Sequence, residues 1–187
     1  SSGHGVTTVV MGNCGVGFAP CRPDHRERLI ELMEGVEDIP GVVLAEGLTW
    51  DWETYPEYLD ALERRPHDVN VAAYLPHAAL RVFVMGERAL YREAANADDL
   101  VRMADLTRDA MAAGSIGVST SRTIFHRSSS GDVIPTADAG EAELLALAGA
   151  MQSVGAGLLH IANDYKLGED LYGEFAMMER VVAASGR

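Results

Sequence analysis

Two kinds of hydrophobic pattern alternate along the chain. Short runs rich in β-branched residues have the character of strands, and longer segments have apolar residues every three or four positions, which is typical of amphipathic helices. The predicted strands are 7–11, 70–75, 116–120 and 157–161, with a weaker candidate at 42–45. Alternation of strands with helices predicts an α/β fold with a parallel sheet.

Residues that cap helices mark the predicted helix ends. Asp24 with Glu27, Thr54 with Glu57, and Asp138 with Glu141 have the spacing of a capping box, in which two side chains satisfy the free amides of the first turn. Glycines supply the stops. The predicted helices are 24–35, 54–62, 98–113 and 138–155, followed by a last helix at about 171–184.

Composition narrows the classes of function. The 187 residues carry a formal net charge of −13, from 28 acidic and 15 basic residues. Such a surface repels nucleic-acid phosphates and anionic lipid, so we expect no nucleic-acid partner and no membrane partner. With two cysteines, Cys14 and Cys21, we expect no disulfide framework and a reducing, cytoplasmic location. No long apolar span or secretory leader is evident.

The ends of the chain favour a segment of a longer protein. The sequence starts at Ser1 without an initiator methionine and enters a predicted strand almost at once. It stops at Arg187, just after a predicted helix, where an α/β pattern places the next strand. We therefore expect residues 1–187 to be a single domain segment whose α/β pattern is incomplete at both ends.

Candidate functional residues follow the predicted strands, where chemistry gathers in parallel α/β folds. Cys14 ends the first strand in a glycine-rich turn, and His160 lies near the end of the last. Thiolate and imidazole are a common pair of zinc ligands, although a catalytic zinc site needs three protein ligands. The alternatives are a cysteine that only packs and a core histidine satisfied by the backbone.

Three further residues are candidates for substrate binding. Arg122 and His126 form a local cationic group in an acidic protein, and an arginine fork there would suit the carboxylate of a small-molecule substrate. Neutralisation of nearby acids is an equal alternative for Arg122. His77 follows the second strand and could orient a ligand or substrate indirectly, or only cap a turn. The loop 126–139 is of the long kind that covers sites.

Five motifs in order carry a resemblance to a known family. They are GVTTVVMGNCGVGFAP at 5–20, WETYPEYL at 52–59, VNVAAYLPHAALR at 69–81, AGSIGVSTS at 113–121 and LLHIAND at 158–164. In this order they resemble the N-acyl-D-amino-acid deacylases, or D-aminoacylases, of the amidohydrolase superfamily. The resemblance runs over nearly the whole chain, and the Gly-Asn-Cys-Gly piece is quite specific.

The resemblance implies a zinc-dependent hydrolase of amide C–N bonds on a (β/α)8 TIM barrel. Cys14 matches the family cysteine that bridges the metals, and His160 matches a histidine ligand of the tightly held zinc. The other implied ligands, a His-x-His pair, a further histidine and an aspartate, have no counterpart in residues 1–187. The parent would hold one or two Zn²⁺ ions.

The sequence departs from the family pattern close to its motifs. Ala162 stands where the family has arginine, Asp164 replaces glutamate, and the family's substrate-contacting tyrosine is absent after the turn at 119–121. The substrate could therefore be a different amide, a carbamate or a cyclic imide.

We expect this chain alone to be inactive and to bind zinc weakly. Exposed barrel edges would favour its self-association. The alternative hypothesis is that the chain is a non-catalytic α/β module.

Overall fold

Parallel strands form the centre of the structure, a computed structural model that describes residues 1–163 and 171–185. The strands are β1 (Thr8–Met11), β2 (Asn70–Ala73), β3 (Leu75–Pro76), β4 (Gly117–Arg122) and β5 (Leu158–Asn163). β1 pairs with β2 in one sheet, β4 lies between β3 and β5 in a second, and all three strand pairings are parallel. The predicted α/β class with parallel strands is confirmed.

Tyr74 divides the predicted strand 70–75 into β2 and β3. Its amide donates to the carbonyl of Met11 at 3.0 Å, which continues the contact with β1. The next residue, Leu75, pairs instead with Val118 of β4. The chain therefore passes from one sheet to the other at a single residue.

Helices connect the strands. They are α1 (Arg26–Glu37), α2 (Gly41–Gly47), α3 (Tyr55–Glu63), α4 (His77–Met85), α5 (Glu87–Leu90), α6 (Ala97–Ala113), α7 (Glu141–Val154) and α8 (Leu171–Ser185). Thr54 and Glu57 form the predicted capping box at the start of α3. Gly114 and Gly155 end α6 and α7 in the left-handed conformation, as the sequence indicates.

Four local predictions are wrong. α1 begins at Arg26 after a 3₁₀ turn at Pro23–His25, has no side-chain cap and continues through Gly35. α7 likewise starts without a side-chain cap, because its N-cap residue is Gly140 and Asp138 lies two residues earlier, where it pairs with Arg92. The weak strand candidate at 42–45 lies within the helix α2, since a short apolar run does not distinguish a strand from a helix.

The hydrophobic core lies between the sheet and the helices that follow it. Its fully buried side chains come from β3, β4, α4, α6 and α7, and include Leu75, Leu80, Met103, Val118, Leu144 and Leu147. In the described ranges, no helix has both the length and the apolarity needed to cross a bilayer. The core fixes the helix layer on one face of β4, which leaves the other face for the candidate site.

Candidate functional site

Cys14 lies in the tight turn that follows β1. The next residue, Gly15, has a φ of +74°, and a Cβ there would come within 2.9 Å of backbone atoms of Thr120 and Ser121. The turn is thus pressed against the carboxyl end of β4, and only glycine permits both the backbone conformation and this approach. Cys14 is held half-buried at the same edge of the sheet.

The Cys14 thiol is protonated at neutral pH in this environment. Burial raises its pKa to about 11, and a hydrogen bond with Glu37 and the negative charge of that carboxylate add to the effect. Glu37 is the last residue of α1. A cation at this position would reverse the balance, because it favours the thiolate and offsets the carboxylate charge.

His160 lies on β5, where it pairs in register with Ser119 of β4. Its ring is half-buried, and its centroid lies 5.7 Å from that of Tyr74. The Tyr74 amide is hydrogen-bonded to Met11 at the end of β1. Tyr74 therefore contacts both the strand that precedes Cys14 and the His160 ring on β5. Both candidate metal ligands therefore belong to the part of the sheet around Tyr74.

The two faces of β4 have different surroundings. Thr120 points towards the helices, since its hydroxyl lies 2.8 Å from His77 Nδ1 at the start of α4. Ser119 and Ser121 therefore point to the opposite face, which His160 shares through its register with Ser119. The Ser119 hydroxyl is fully buried, and among the residues that the structure describes it has no hydrogen-bond partner. An unsatisfied buried hydroxyl indicates that a polar group belongs beside it.

These residues fit part of a zinc site. A thiol that a cation would ionise and an imidazole are ligand types that zinc takes. Within residues 1–163 and 171–185, however, no three His, Cys, Asp or Glu side chains are arranged to hold a metal ion. The described chain thus contributes at most two of the ligands that a catalytic zinc requires.

Arg122 is engaged by a carboxylate of the protein itself. Its Nε and Nη2 donate to the two oxygens of Glu174 on α8 at 2.9 and 2.7 Å, and its Nη1 donates to the carbonyl of Ala139. Asn163 Nδ2 donates to the same Glu174 at 3.0 Å. This geometry favours neutralisation of a nearby acid, the alternative to a substrate fork.

His126 lies beside the end of β4 on the face opposite the helices. Its Nδ1 is 2.8 Å from the hydroxyl of Ser121, which is fully buried. The main-chain carbonyl of Ser121 accepts a hydrogen bond from Thr136, so the loop 126–139 is tied to the strand end at two points. The His126 partner Ser121 is also one of the residues against which the Cys14 turn is pressed.

His77 lies inside the protein and not at the mouth of the site. It is fully buried, and both ring nitrogens are engaged, Nδ1 with Thr120 and Nε2 with Glu143 at 2.6 Å. Direct contact with substrate therefore has no support in this geometry. An indirect, orienting role remains open to it.

Six residues near the site were not among those predicted: Glu37, Glu143, Glu174, Tyr74, Ser119 and Ser121. Two of them carry a signal that could have been found. Glu143 stands four residues before the buried Leu147, and Glu174 stands three before the buried Met177. Each is an acid on the apolar face of its helix, which indicates a buried partner. The family position at Asp164 lies outside the described residues.

Comparison with known proteins gives the same architecture. A solved D-aminoacylase, described with a binuclear metal center, superposes with a TM-score of 0.67 at 28% identity over 97% of this chain and 33% of its own. N-acyl-D-glutamate deacylase from Bordetella bronchiseptica, complexed with zinc and a phosphonate inhibitor, gives a TM-score of 0.68 at 26% identity over 99% of this chain and 34% of its own. The chain is thus a partial segment of a TIM-barrel-like α/β fold.

Curated sequences agree. D-aminoacylase of Alcaligenes xylosoxydans xylosoxydans is 37% identical over 117 residues, which are 63% of this chain and 21% of that protein. N-acyl-D-aspartate deacylase of the same organism is 33% identical over 117 residues, with the same coverage. This chain spans about a fifth of the length of these relatives. Since the Amidohydrolase family matches residues 1–187 throughout, the chain belongs to that family.

Proposed function

We propose that the protein containing this chain is a zinc-dependent hydrolase that cleaves the amide C–N bond of N-acyl-D-amino acids. Residues 1–187 would be a single segment of its catalytic barrel. Membership of the Amidohydrolase family supports the proposal, as do relatives named for this deacylation. The observation that carries it is the position of Cys14, in the Gly-Asn-Cys-Gly turn pressed against β4 at the edge of the sheet shared by His160.

In this proposal Cys14 and His160 are metal ligands. Bound zinc would lower the pKa of a water molecule towards neutrality and polarise the scissile carbonyl. Other residues of the chain position these two ligands. Gly15 lets the Cys14 turn lie against Thr120 and Ser121, and the β4–β5 register fixes the backbone position of His160. Ser119 presents a buried hydroxyl on the face that His160 shares.

For the substrate, we propose that His126 and Arg122 border the binding site and that His77 acts on it indirectly. The hydrogen bond between Ser121 and His126 restricts the imidazole to one side of the β4 end. A substrate carboxylate could reach the guanidinium of Arg122 only by displacing Glu174, which holds two of its nitrogens.

The Arg122–Glu174 pair favours a second candidate function. If the pair persists in the parent protein, Arg122 is not available to a carboxylate, and an amide, carbamate or cyclic imide without that group becomes the better substrate class. The two candidates share the metal chemistry and differ only in the group recognised.

Activity of the full-length protein tests both candidates. We expect it to release acetate from N-acetyl-D-amino acids faster than from their L forms. We also expect it to lose activity when a chelator removes the metal and to regain activity when Zn²⁺ is added. Cys14→Ser and His160→Ala should abolish turnover and reduce bound zinc measured by elemental analysis. Cys21→Ser is the matched control, because Cys21 is buried and donates only to the carbonyl of Arg22. A zinc-independent activity, or turnover unaffected by Cys14→Ser, would contradict the proposal.

We further propose that residues 1–187 expressed alone are inactive, bind Zn²⁺ weakly and self-associate. Supporting this, Val42 and Val43 on α2 are 64% and 56% exposed, and Leu158 on β5 is 60% exposed. Isothermal titration with Zn²⁺ and size-exclusion chromatography test it. A monomer that binds zinc tightly and stoichiometrically would refute it.

A cytoplasmic location is also proposed. Supporting this, the two cysteines, Cys14 and Cys21, are both free thiols, which fits a reducing compartment. Fractionation of cells that express the full-length protein tests it, and recovery outside the cytoplasmic fraction would refute it.

A further inference from the structure

A cluster of titratable side chains is buried on the helix side of β4. Arg81, His77 and Glu143 are 1%, 0% and 3% exposed. Burying charge costs free energy unless the groups are paired and hydrogen-bonded, so such a cluster needs close partners. His77 and Arg81 are on consecutive turns of α4, and Glu143 is in the first turn of α7.

The partners are present. Glu143 Oε1 lies 2.6 Å from His77 Nε2 and 3.4 Å from Arg81 Nε. Burial acts to raise the pKa of Glu143, but the hydrogen bond with His77 and the charges of His77 and Arg81 together hold that pKa below its ordinary value. Glu143 is therefore a carboxylate that joins two helices.

The cluster also reaches the strand and the loop that border the candidate site. His77 Nδ1 lies 2.8 Å from the Thr120 hydroxyl of β4. Arg81 Nη1 donates to the carbonyl of Pro135 at 2.8 Å, inside the loop 126–139, and its Nη2 donates to the carbonyl of Glu93 at 2.6 Å. One buried network thus fixes β4 and this loop relative to α4 and α7.

These contacts act on the residues behind the site. Thr120 stands between Ser119 and Ser121, whose side chains point to the opposite face, beside His160 and His126. A rotation of β4 about its axis would move all of these groups together. Because catalysis is sensitive to displacements of about 1 Å, the orientation of Thr120 matters to the chemistry without touching it.

We propose that His77, Glu143 and Arg81 form a positioning cluster that sets the orientation of the carboxyl end of β4 and of the loop 126–139 through Thr120 and Pro135. His77 is then a positioning residue and makes no contact with substrate. The kinetic part of this inference rests on the proposed function; the structural part does not.

Removal of the Thr120 hydroxyl is the sharpest test in the full-length protein. Thr120→Val keeps the side-chain shape and breaks the contact with His77, whereas Thr120→Ser keeps the hydroxyl. We expect Thr120→Val to lower kcat by on the order of ten-fold or more while KM changes by less than about two-fold, and Thr120→Ser to restore kcat. Glu143→Gln should show the same split.

Thr107→Val is the matched control. Thr107 is also fully buried, but its hydroxyl donates only to the carbonyl of Met103 within α6, so the change costs stability without reaching β4. Equal losses of kcat in Thr120→Val and Thr107→Val, measured well below both melting temperatures, would overturn the inference. A rise in KM at unchanged kcat would also overturn it, because that is the effect of losing a substrate contact.

Hydrogen exchange separates this inference from the proposed function. If the wild-type protein has no zinc-dependent deacylase activity, the proposed function fails, and the amides of residues 119–139 still report on positioning. Faster exchange there in Thr120→Val than in Thr107→Val supports the cluster's role. Equal exchange in the two variants overturns it.

Discussion

Glu174 accepts hydrogen bonds from Arg122 on both carboxylate oxygens, at 2.7 and 2.9 Å, although 52 positions separate the two residues. The pair joins the first turn of α8 to the last residue of β4, and Asn163 at the end of β5 donates to the same carboxylate. The helix that follows β5 is therefore fixed to the edge of the sheet where the candidate site lies.

The Arg122–Glu174 pair should stabilise α8 more than an exposed pair does. Arg122 is only 11% exposed in its side chain, whereas Arg180 in the Arg180–Glu141 pair is 57% exposed. We expect a double-mutant cycle with Arg122→Gln and Glu174→Gln to give a coupling free energy of about 0.5–1.5 kcal/mol after allowance for solvent screening. Amide exchange in α8 measures it, and the Arg180–Glu141 cycle is the control. Equal coupling in the two cycles would contradict the prediction.

The same pair predicts loss of stability in acid. The hydrogen bond from Arg122 is the main cause that lowers the pKa of Glu174 below 4.5, and the charge of Arg122 and the Asn163 amide add to it. A carboxyl with a lower pKa in the folded state stabilises above its unfolded pKa, and the contribution is lost as pH falls from about 4.5 through the folded value. Protection of α8 should fall in that range in wild type, and fall less in Glu174→Gln.

Cys14 should react slowly with alkylating reagents. Its pKa is raised from 9.0 to about 11, so near pH 8 it holds about a hundred-fold less thiolate than an ordinary cysteine. Glu37→Gln should increase the rate by less than about ten-fold, because burial, the larger cause, stays. Iodoacetamide kinetics in a Cys21→Ser background measure it. A rate equal to that of a free thiol would contradict the prediction.

Gly35→Ala should destabilise the protein although Gly35 is inside a helix. Alanine usually stabilises a helix interior by about 0.5–1 kcal/mol relative to glycine. Here a Cβ would lie 2.1 Å from the carbonyl oxygen of Arg127, so the loop 126–139 would have to move, at a cost of about 1–3 kcal/mol. Gly149→Ala in α7 is the control, since nothing lies within 4 Å of its Cβ, and it should stabilise. A melting temperature that rises in both variants would refute this prediction.

Gly15→Ala should cost more than Gly5→Ala. Both glycines have left-handed backbones, with φ of +74° and +85°, so alanine costs about 1–2 kcal/mol at either. Only at Gly15 does the Cβ also meet backbone, 2.9 Å from Thr120 and Ser121, whereas nothing lies within 4 Å at Gly5. We expect Gly15→Ala to lower the melting temperature further and to change the alkylation rate of Cys14. Equal melting temperatures would show that the turn does not press on β4.

Local signals predicted part of the local structure. The Thr54 and Glu57 box, and the stops at Gly114 and Gly155, depend on residues within one helical turn and are as expected. Gly35 shows the limit, because its absent side chain makes room for a loop some 90 residues away in sequence and does not end a helix. The sequence alone does not show whether a glycine ends a helix or makes room for another segment.

The sequence indicated where some candidate residues lie but not which residues they contact. Cys14 and His126 follow the ends of β1 and β4, as the pattern predicted, whereas His160 lies within β5, which continues to Asn163 beyond the predicted strand 157–161. The partners that define their neighbours come from distant segments: Glu143 is 66 positions from His77, and Glu174 is 52 from Arg122. No periodicity specifies such pairings, so the burial of His77 and the engagement of Arg122 needed the folded chain.

The division of the strands at Tyr74 has a thermodynamic consequence. Cys14 follows the sheet of β1 and β2, whereas His160 belongs to the sheet of β3, β4 and β5. An ion held by both residues would therefore cross-link two ladders, and its binding energy would oppose their separation. Metal binding and the contact between the two sheets would then be thermodynamically linked, and removal of the ion would weaken the contact at Tyr74 first.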